Sequence, residues 1–322
     1  GMKQLLSAPA SNQTFDLQAM TEEIHATFQI ESIRSSRNSI RHILNGYAPR
    51  NEEESRIYGM KRGLDFIADR QNTITEENLH QLYQISTGDY LPDEDRLLPD
   101  RFYRHDVVYV VGGEASREGL PAQQLPEAMK RLVDFANAKD GINELHKAAI
   151  LHFAFAYYHP YFDGNGRTAR LLHLWYLVQQ GYPAALFTPF SRYIAESKAA
   201  YYKAYDRVEK NALISGYTDV TPFLSYFCNE VYNRLQVDAT PPQADLQIYQ
   251  AALSEGKITE KERLLWEYVL SAYGAEEFTT KQLEKDFRNA AYATIRTFVM
   301  KFHEMGLLMA RKAGNRIFYK VN

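Results

Sequence analysis

The sequence is short of cysteine, of long apolar runs and of net charge, and each shortage excludes a class of protein. Cys228 is the only cysteine among 322 residues, which excludes an internal disulfide and a thiolate zinc cluster. There is no apolar run of about eighteen residues and no charged-then-apolar signal pattern, so we expect a cytoplasmic chain that does not enter a membrane. The net charge of -3 indicates that the whole chain is not a general polyanion binder.

Apolar residues in helical spacing are what the chain does contain. Hydrophobic residues make up 45% and charged residues 24%, the balance of a soluble globular protein rather than of a disordered one. A chain of this length folds as one large domain or two, and most of its segments have helical periodicity, among them 191–210 and 221–235, which predict one helix each. The clearest boundary is the polar Pro-Pro segment 238–243, which follows a helical stretch and is typical of a hinge.

The segment 159–170 combines a turn and a helix start in a pattern typical of anion binding. Its Gly164-Asn165-Gly166 turn tolerates the backbone dihedrals that aim successive N–H groups at one point. No helix breaker follows, and the first N–H groups of a helix have no partner within it. Together with the helix dipole they favour an anion, so the turn and the Asn165 side chain are predicted to stabilise phosphate charge.

Four ionisable side chains accompany this turn. Arg167 and Arg170 stand three residues apart on one helix face, where they would orient the β- and γ-phosphates. Asp163 is a hard oxygen ligand placed to hold Mg²⁺ on a polyphosphate. His159 is the only group of the segment whose ordinary pKa suits a base near neutrality. The segment therefore predicts a site for phosphoryl or nucleotidyl transfer.

The same residues resemble the motif of the Fic family, His-Pro-Phe-x-(Asp/Glu)-Gly-Asn-Gly-Arg-x-x-Arg. Every defined position matches except one, where Tyr161 stands for the usual Phe. The resemblance implies a mainly α fold, a helical bundle with a β-hairpin flap, and an enzyme that attaches AMP from ATP to a protein with Mg²⁺. It also implies that His159 takes the proton of a Tyr, Thr or Ser hydroxyl, whose oxygen attacks the α-phosphorus while pyrophosphate leaves.

Three residues of the later helices complete the nucleotide site that the resemblance implies. Tyr201, Tyr202 and Asn211 stand where the family often places groups around the adenine. The chain contains 23 tyrosines, so a tyrosine pair on a helix is equally compatible with a place in the core.

An upstream helix, predicted for 17–33, carries a second short pattern. Part of the Fic family has an inhibitory helix with the pattern (Ser/Thr)-x-x-x-Glu-(Gly/Asn), which Thr27 and Glu31 fit, with Ser32 at the last position. The resemblance implies that Glu31 pairs with Arg170 and blocks the γ-phosphate of ATP. A guanidinium forked onto a carboxylate cannot also clamp a phosphate. The alternative is an ordinary i,i+4 pair on an amphipathic helix.

The stretch 101–113 is rich in β-branched and aromatic residues and ends in a glycine pair, which predicts a strand. In the Fic fold a β-hairpin flap stands here and binds the target backbone by strand addition. The target-binding residues predicted on this flap are Tyr103, Val107, Val108 and Tyr109. An ordinary edge hairpin is the alternative.

The segment 258–322 resembles a winged helix, with three helices followed by a hairpin. Thr259 and Thr279 are predicted to cap the first two helices. From Glu276 to Asn322 there are nine Lys and Arg against five Asp and Glu, a net charge of +4 that fits a phosphate-facing surface. The residues placed for such contact are Thr294 and Arg296 on the third helix and Arg311, Lys312 and Arg316 on the wing. DNA contact, protein docking and homodimerisation all remain open.

The sequence thus predicts three regions and one preferred function. The regions are an N-terminal helical part at 2–85 with the inhibitory helix, a Fic core at 86–240, and the winged-helix-like domain at 258–322. The preferred function is a protein adenylyltransferase that Glu31 inhibits. The alternatives are a DNA-binding regulator whose Fic-like part senses a nucleotide, an enzyme that removes AMP with water oriented by Glu31, and transfer of another phosphate-containing group.

Overall fold

Helices form most of the chain in the computed structural model, which describes residues 2–6, 13–110, 117–238, 243–274 and 276–322. The α-helices of the described residues are α1 Met2–Leu6, α2 Gln13–Ile30, α3 Arg37–Leu44, α4 Glu52–Ala68, α5 Glu76–Ser86, α6 Leu125–Asn137, α7 Glu144–Tyr158, α8 Asn165–Gln179, α9 Phe190–Glu196, α10 Lys198–Ser215, α11 Thr221–Tyr226, α12 Asn233–Asp238, α13 Gln243–Ser254, α14 Glu260–Ala272, α15 Thr280–Phe287 and α16 Tyr292–Glu304. A mainly α fold, as the sequence predicts, is confirmed.

Shorter elements join these helices. Single 3₁₀ turns and one π-helical segment lie at Gly88–Tyr90, Asp93–Asp95, Ala122–Gln124, Pro183–Phe187 and Phe227–Tyr232. The strands form two antiparallel pairs, β1 Tyr109–Val110 with β2 Arg117–Glu118, and β3 Leu308–Ala313 with β4 Arg316–Val321. Within the part of the chain that the structure describes, no helix is long and apolar enough to cross a bilayer.

The chain divides into two compact units. The first comprises residues 1–10 and 22–237, and the second comprises residues 11–21 and 238–322. The first unit therefore contains residues from both the region 2–85 and the region 86–240. Residues 239–242 of the hinge predicted at 238–243 lie outside the described residues.

Two antiparallel neighbours, α7 and α8, form the centre of the first unit. Every residue from 167 to 178 on α8 is buried, and α4, α5 and α6 pack around the pair. A helix that is buried on all sides needs apolar residues at nearly every position, and α7 has them, including Leu151, Phe153 and Phe155. The loop 159–164 between α7 and α8 is thus held at both ends by buried helices.

Helix α7 ends where the sequence requires it to end. His159 takes a left-handed conformation with φ 54°, and its N–H donates to the Phe155 carbonyl at 3.0 Å. The residue before a proline is sterically excluded from the helical region, so Pro160 prevents α7 from continuing through His159. The chain therefore turns at the imidazole itself.

Two secondary-structure predictions are wrong. The strand predicted at 101–113 is a strand only at 109–110, since 101–108 forms turns and 111–113 lies outside the described residues. Tertiary contacts hold 101–108 instead: Tyr103 donates to Glu76 at 2.6 Å, and the Arg104 N–H donates to the Pro160 carbonyl at 2.9 Å. The single helix predicted for 191–210 is broken at Ser197, whose hydroxyl donates back to the Tyr193 carbonyl at 2.7 Å.

The C-terminal part of the second unit consists of α14, α15 and α16 followed by the β3–β4 hairpin. Thr259 and Glu262 form the capping box at the start of α14, and the Thr279 hydroxyl accepts from the Gln282 N–H at 3.2 Å at the start of α15. Both predicted caps are therefore present. Phe278 and Tyr319 join β4 to the segment before α15 by two backbone hydrogen bonds of 2.8 Å.

Candidate active site

A cleft of about 740 Å³ opens over the loop between α7 and α8, within the first unit. Its walls include the ends of α2 and α7, the flap strands β1 and β2, and one face of α10. His159, Asp163, Gly164, Gly166 and Arg170 from the predicted segment all line it, together with Glu31. The structure therefore brings the two sequence patterns together in one cavity, although Glu31 and Arg170 are 139 positions apart along the chain.

The turn before α8 is held by tight local contacts. Gly164 has φ +80°, and a Cβ at this position would stand 2.4 Å from the Thr87 side chain, so only glycine fits. The Asn165 side chain donates to the Tyr161 carbonyl at 2.8 Å and accepts from the Tyr161 N–H at 2.9 Å. Because this amide is used within the loop, the donors left for an anion are the first N–H groups of α8.

The residue that departs from the Fic motif packs in the core. The Tyr161 ring stacks on Tyr83 with centroids 3.6 Å apart, and the side chain is fully buried. Its hydroxyl makes no hydrogen bond within the described residues. Burial raises the pKa of this phenol well above its ordinary value, so it stays neutral.

Both motif arginines bind the carboxylate of Glu31. Arg167 Nε donates to Oε2 at 2.8 Å, and Arg170 Nη2 donates to Oε1 at 2.5 Å. Arg170 also donates from Nε to the Thr27 hydroxyl at 2.6 Å and from Nη2 to the Thr27 carbonyl at 3.1 Å. The structure thus contains the contact of Glu31 with Arg170 that the resemblance implies, and it adds Arg167.

The carboxylate of Glu31 stands against the start of α8. A Cβ on Gly166 would lie 2.4 Å from Glu31 Oε1, so glycine permits this close approach. Burial pushes the pKa of the Glu31 carboxyl upward, but the charges of Arg170 and Arg167 outweigh it and hold the pKa below its ordinary value. An anionic group is therefore bound at the helix terminus where phosphate is predicted to bind.

His159 is oriented as a base. Its Nδ1 lies 3.2 Å from the Ala156 carbonyl oxygen, and a carbonyl can only accept, so Nδ1 carries the hydrogen and Nε2 keeps its lone pair. Burial lowers the pKa of the imidazole to about 4, and the positive charges of Arg117 and Arg104 contribute. The side chain is therefore neutral at pH 7, the form that accepts a proton.

Asp163 fits the part of a metal ligand that shares its ion with phosphates. Its side chain is 48% exposed and lines the cleft, while Oδ1 accepts from the Gly164 N–H at 2.6 Å and Oδ2 from Arg167 at 3.2 Å. The described residues contain no group of three or more His, Cys, Asp or Glu side chains that could hold a metal ion. Mg²⁺ is commonly held by one or two carboxylates plus substrate phosphates, so this single carboxylate suits it.

The three residues predicted around the adenine separate in space. Tyr201 and Tyr202 line the cleft, but the Tyr201 hydroxyl is engaged with His152 at 2.8 Å and Tyr205 at 3.1 Å. Asn211 does not line this cleft and lies in another cavity on α10. The assignment of Asn211 to the nucleotide stays a prediction that this cleft does not support, because ten residues along a straight helix carry a side chain about 15 Å from Tyr201.

The four residues predicted to bind the target on the flap also lie in different places. Tyr109 is 64% exposed and lines the cleft, and the Val108 carbonyl accepts from the Gly119 N–H at 2.9 Å, which extends the hairpin by one pairing. Val107 is exposed beside the hairpin. Tyr103 lies outside it, because its hydroxyl is bound to Glu76 on α5.

Sequence reasoning missed two arginines of the flap region. Arg104 is 2% exposed and its guanidinium binds main-chain carbonyls, among them that of His159 at 2.7 Å. Arg117 lines the cleft and forms an ion pair of 2.5 Å with Glu209 on α10. An arginine inside an otherwise strand-like apolar run was the available signal for Arg104, because such a side chain is rarely buried unless it is paired.

Known proteins resemble this chain in sequence and in fold. The family model described as Fic/DOC family matches residues 73–177. The chain is 31% identical over 181 residues to protein adenylyltransferase fic-1 of Caenorhabditis elegans, covering 54% of this chain and 31% of that protein. It is 29% identical over 140 residues to protein adenylyltransferase Fic of Drosophila willistoni, covering 42% of this chain and 26% of that protein. The matches thus span less than a third of these relatives.

Solved structures share the fold over a longer range. A Fic family protein from Desulfovibrio desulfuricans G20 superposes with a TM-score of 0.61 at 17% identity, covering 97% of this chain and 88% of that chain. A fragment of Fic-1 from C. elegans superposes with a TM-score of 0.56 at 21% identity, covering 73% of this chain and 68% of that chain. At these identities the similarity shows the fold alone.

Proposed function

We propose that the chain contains a Fic domain, that it transfers AMP from ATP to a hydroxyl side chain of a protein, and that Glu31 inhibits this activity. One observation carries the proposal. A neutral histidine, a helix terminus suited to phosphate and Arg170 line one cleft, and the Glu31 carboxylate in the same cleft binds both Arg170 and Arg167. The curated relatives named protein adenylyltransferase support the same chemistry.

His159 carries the proton transfer in this proposal. Its Nε2 accepts the proton of a Tyr, Thr or Ser hydroxyl while the hydroxyl oxygen bonds to the α-phosphorus of ATP. The bond from the α-phosphorus to the bridging oxygen breaks, and pyrophosphate leaves with that electron pair. The N–H groups at the start of α8 stabilise the charge that develops on the phosphoryl oxygens. The flap strand β1 holds the target backbone beside the imidazole by strand addition.

Asp163 is the residue that would hold Mg²⁺. When bound, the ion would neutralise charge on the phosphates and orient them for displacement. The carboxylate is already fixed by the Gly164 N–H, so it presents its remaining lone pairs toward the cleft without rearrangement. Arg167 and Arg170 then face the β- and γ-phosphates once Glu31 has moved away.

Inhibition follows from competition for two guanidiniums. A carboxylate and a phosphate use the same in-plane donors of an arginine, so Glu31 and the γ-phosphate cannot both bind Arg170. Thr27 reinforces the closed arrangement by accepting from Arg170 Nε. The wild-type chain is therefore expected to bind ATP weakly or in a geometry that does not react.

The proposal is tested with ATP labelled with ³²P at the α-phosphate, Mg²⁺ and a cell lysate. Wild type, Glu31→Gly, and Glu31→Gly combined with His159→Ala are compared. We expect label on protein with Glu31→Gly, at least about tenfold above wild type, and none with the double variant. Label at the γ-phosphate instead of the α-phosphate serves as the matched control, because AMP transfer leaves it in pyrophosphate.

Three outcomes contradict the proposal in different ways. Equal labelling by wild type and Glu31→Gly, with both proteins folded, overturns the inhibitory role. Absence of protein label in every lane, while ATP still binds, favours the alternative in which the Fic domain senses a nucleotide. Release of labelled AMP from a pre-modified protein by the wild type would instead favour the removal reaction.

We also propose that the C-terminal three helices and hairpin are a winged-helix module that contacts DNA. Arg296 on α16 and Lys312 and Arg316 of the hairpin are exposed, whereas Arg311 is paired with Glu277 at 2.7 Å. Binding of duplex DNA by the full chain should weaken with rising salt, and Arg296→Gln should weaken it further. Salt-independent behaviour, or a second copy of the chain bound in place of DNA, would assign the module to protein docking.

A further inference from the structure

We propose that Arg104 and Arg117 are positioning residues for the transfer reaction, because their guanidiniums bind the last carbonyls of α7 and hold His159 in place. This inference rests on the proposed function, in which His159 is the base. It concerns two residues of the flap region to which the Fic motif and the inhibitory pattern assign no role.

The carbonyls at the end of α7 need partners from elsewhere. The last carbonyls of any helix have no N–H within the helix to bind, and they carry the negative end of its dipole. In α7 these include the carbonyls of Ala156, Tyr157 and Tyr158, followed by that of His159. An uncapped end would let the last turn fray, and the base is attached to that turn.

Arg117 binds the first two of these carbonyls. Its Nη1 donates to Tyr157 O at 3.0 Å, and its Nη2 lies 3.4 Å from Ala156 O. The guanidinium also stacks over the Tyr157 ring, 4.3 Å from the centroid, and pairs with Glu209 on α10. Arg117 is thereby fixed between the flap, the end of α7 and α10.

Arg104 binds the other two. Its Nε donates to His159 O at 2.7 Å, and its Nη2 lies 3.4 Å from Tyr158 O. The same guanidinium donates to Asp106 O at 2.6 Å and to Leu120 O, residues on either side of the flap strands. The flap and the base are therefore tied to one buried side chain, and neither can shift without breaking these bonds.

The arrangement fixes the imidazole as well as the backbone. Ala156 O accepts from Arg117 and from His159 Nδ1, so the carbonyl that sets the tautomer of the imidazole is itself held by the flap. Around the imidazole, burial and the positive charges of Arg117 and Arg104 lower the pKa of His159, while the charge of Glu31 raises it. Losing Arg117 should therefore loosen the orientation of the base and raise its pKa.

The test compares variants in the Glu31→Gly background. Arg117→Gln removes the charge and two of the three donor nitrogens, Arg117→Lys keeps the charge but loses the forked geometry, and Arg104→Lys does the same at the buried position. Arg131→Gln is the matched control, since Arg131 is an exposed arginine of α6 paired with Glu127. The readouts are kcat, KM for ATP, the pH dependence of kcat, and the pKa of His159 from an NMR titration of each variant without nucleotide.

We expect Arg117→Gln to lower kcat about tenfold with KM for ATP changed less than about twofold, because it misplaces the base without touching the phosphates. The acid limb of the kcat profile and the NMR pKa of His159 should both move upward. Arg117→Lys should lower kcat while leaving that pKa near its starting value, and Arg104→Lys should lower kcat further. Arg131→Gln should change none of these.

An unchanged kcat and an unchanged pKa of His159 in folded Arg117→Gln would overturn the inference. Equal falls in kcat for Arg131→Gln would also overturn it. Absence of transfer in the Glu31→Gly parent would mean that the proposed function has failed. The NMR titration of His159 in Arg117→Gln would then still decide whether the two arginines control the imidazole, because it needs no activity.

Discussion

Two pairs of arginines lie on opposite sides of the loop 159–164, and they differ in what they bind. On the phosphate side, Arg167 and Arg170 bind a side-chain carboxylate, that of Glu31. On the base side, Arg104 and Arg117 bind main-chain carbonyls at the end of α7. All four guanidiniums serve one site. The first pair binds a carboxylate at the start of α8, whereas the second pair binds main-chain carbonyls, to which Arg117 adds an ion pair with Glu209 on α10.

The contacts of the second pair with main-chain carbonyls are permanent, whereas the contacts of the first pair with a carboxylate are exchangeable. Backbone carbonyls at a helix end cannot be replaced by a ligand without unwinding the helix, so the base side is preorganised. A carboxylate can be displaced by phosphate, which offers the same forked acceptors and more charge. In the proposed function, a fixed base would thus stand next to a phosphate clamp that is occupied until Glu31 leaves.

The largest expected effect concerns the base. His159→Ala in the Glu31→Gly background should lower kcat for AMP transfer by about 10² to 10⁴, the usual contribution of a positioned general base. His105→Ala is the matched control, because His105 is an exposed histidine outside the cleft lining and should change kcat less than about twofold. The measurement is the initial rate with α-labelled ATP. A comparable loss for His105→Ala would indicate that His105, in the flap region, is the base. The distinction between the base side and the phosphate side would then be wrong.

The next effect concerns the buried charges on the phosphate side. Arg167 and Arg170 are each 3% exposed in their side chains, and Glu31→Gln leaves Arg170 without its counter-charge and Arg167 with Asp163 alone. We expect the free energy of unfolding to fall by about 3 kcal/mol, as when one partner of a buried ion pair is removed. Urea unfolding would measure it, with Asp65→Asn as a surface control, since the pair of Lys61 and Asp65 is worth less than about 1 kcal/mol.

The same variant distinguishes an exchangeable contact from a structural one. ATP should raise the unfolding midpoint of Glu31→Gln more than that of the wild type, because phosphate then supplies the missing negative charge. If ATP stabilises both proteins equally, Glu31 does not compete with nucleotide and the phosphate side is as permanent as the base side.

A third effect depends on the close approach of Glu31 to α8. Gly166→Ala places a Cβ 2.4 Å from Glu31 Oε1, so it should lower the free energy of unfolding of the wild type by about 2 kcal/mol. In the Glu31→Gly background the clash is absent, and alanine within a helix should instead stabilise by about 0.5 to 1 kcal/mol. A double-mutant cycle by urea unfolding measures the coupling. Additive effects would mean that the carboxylate does not stand where the geometry puts it.

The site was predictable from the sequence where its residues are close along the chain. His159, Asp163 and the two motif arginines fall within twelve positions, and turn and helix chemistry orient them locally. The inhibitory pair was accessible only through a short family pattern, because Glu31 reaches Arg170 across 139 positions. The local signal for Arg104, an arginine within an apolar run, did not reveal its role, since its contact with the His159 carbonyl spans 55 positions.

The fold, like the site, was predictable where it depends on local interactions and not where it depends on tertiary contacts. Helices with clear caps, such as the one that begins after Thr259, were placed correctly because a cap is a local interaction. The break at Ser197 was missed because the Ser197 hydroxyl lies 2.8 Å from that of Tyr226, a tertiary contact that periodicity does not encode. The stretch 101–107 has strand-forming residues but no strand partner within the described residues, and β propensity reflects packing rather than backbone preference.

The smallest expected effect is the separate response of the two sides to acid. His159 has a pKa of about 4 in the fold against an ordinary 6.5, so its neutral form stabilises the fold fully above pH 6.5 and that contribution is lost as pH falls toward 4. Glu31 also has a lowered pKa, but its ordinary value is 4.5, so its contribution is lost only below that pH.

His159→Asn, which keeps a residue suited to the left-handed conformation, should therefore reduce the loss of unfolding free energy between pH 7.5 and 5.5 by about 1 kcal/mol. Glu31→Gln should leave that interval unchanged and flatten the curve below pH 4.5. Urea unfolding at four or so pH values would decide it, and identical curves for the two variants would mean that base and clamp do not titrate as independent parts of the site.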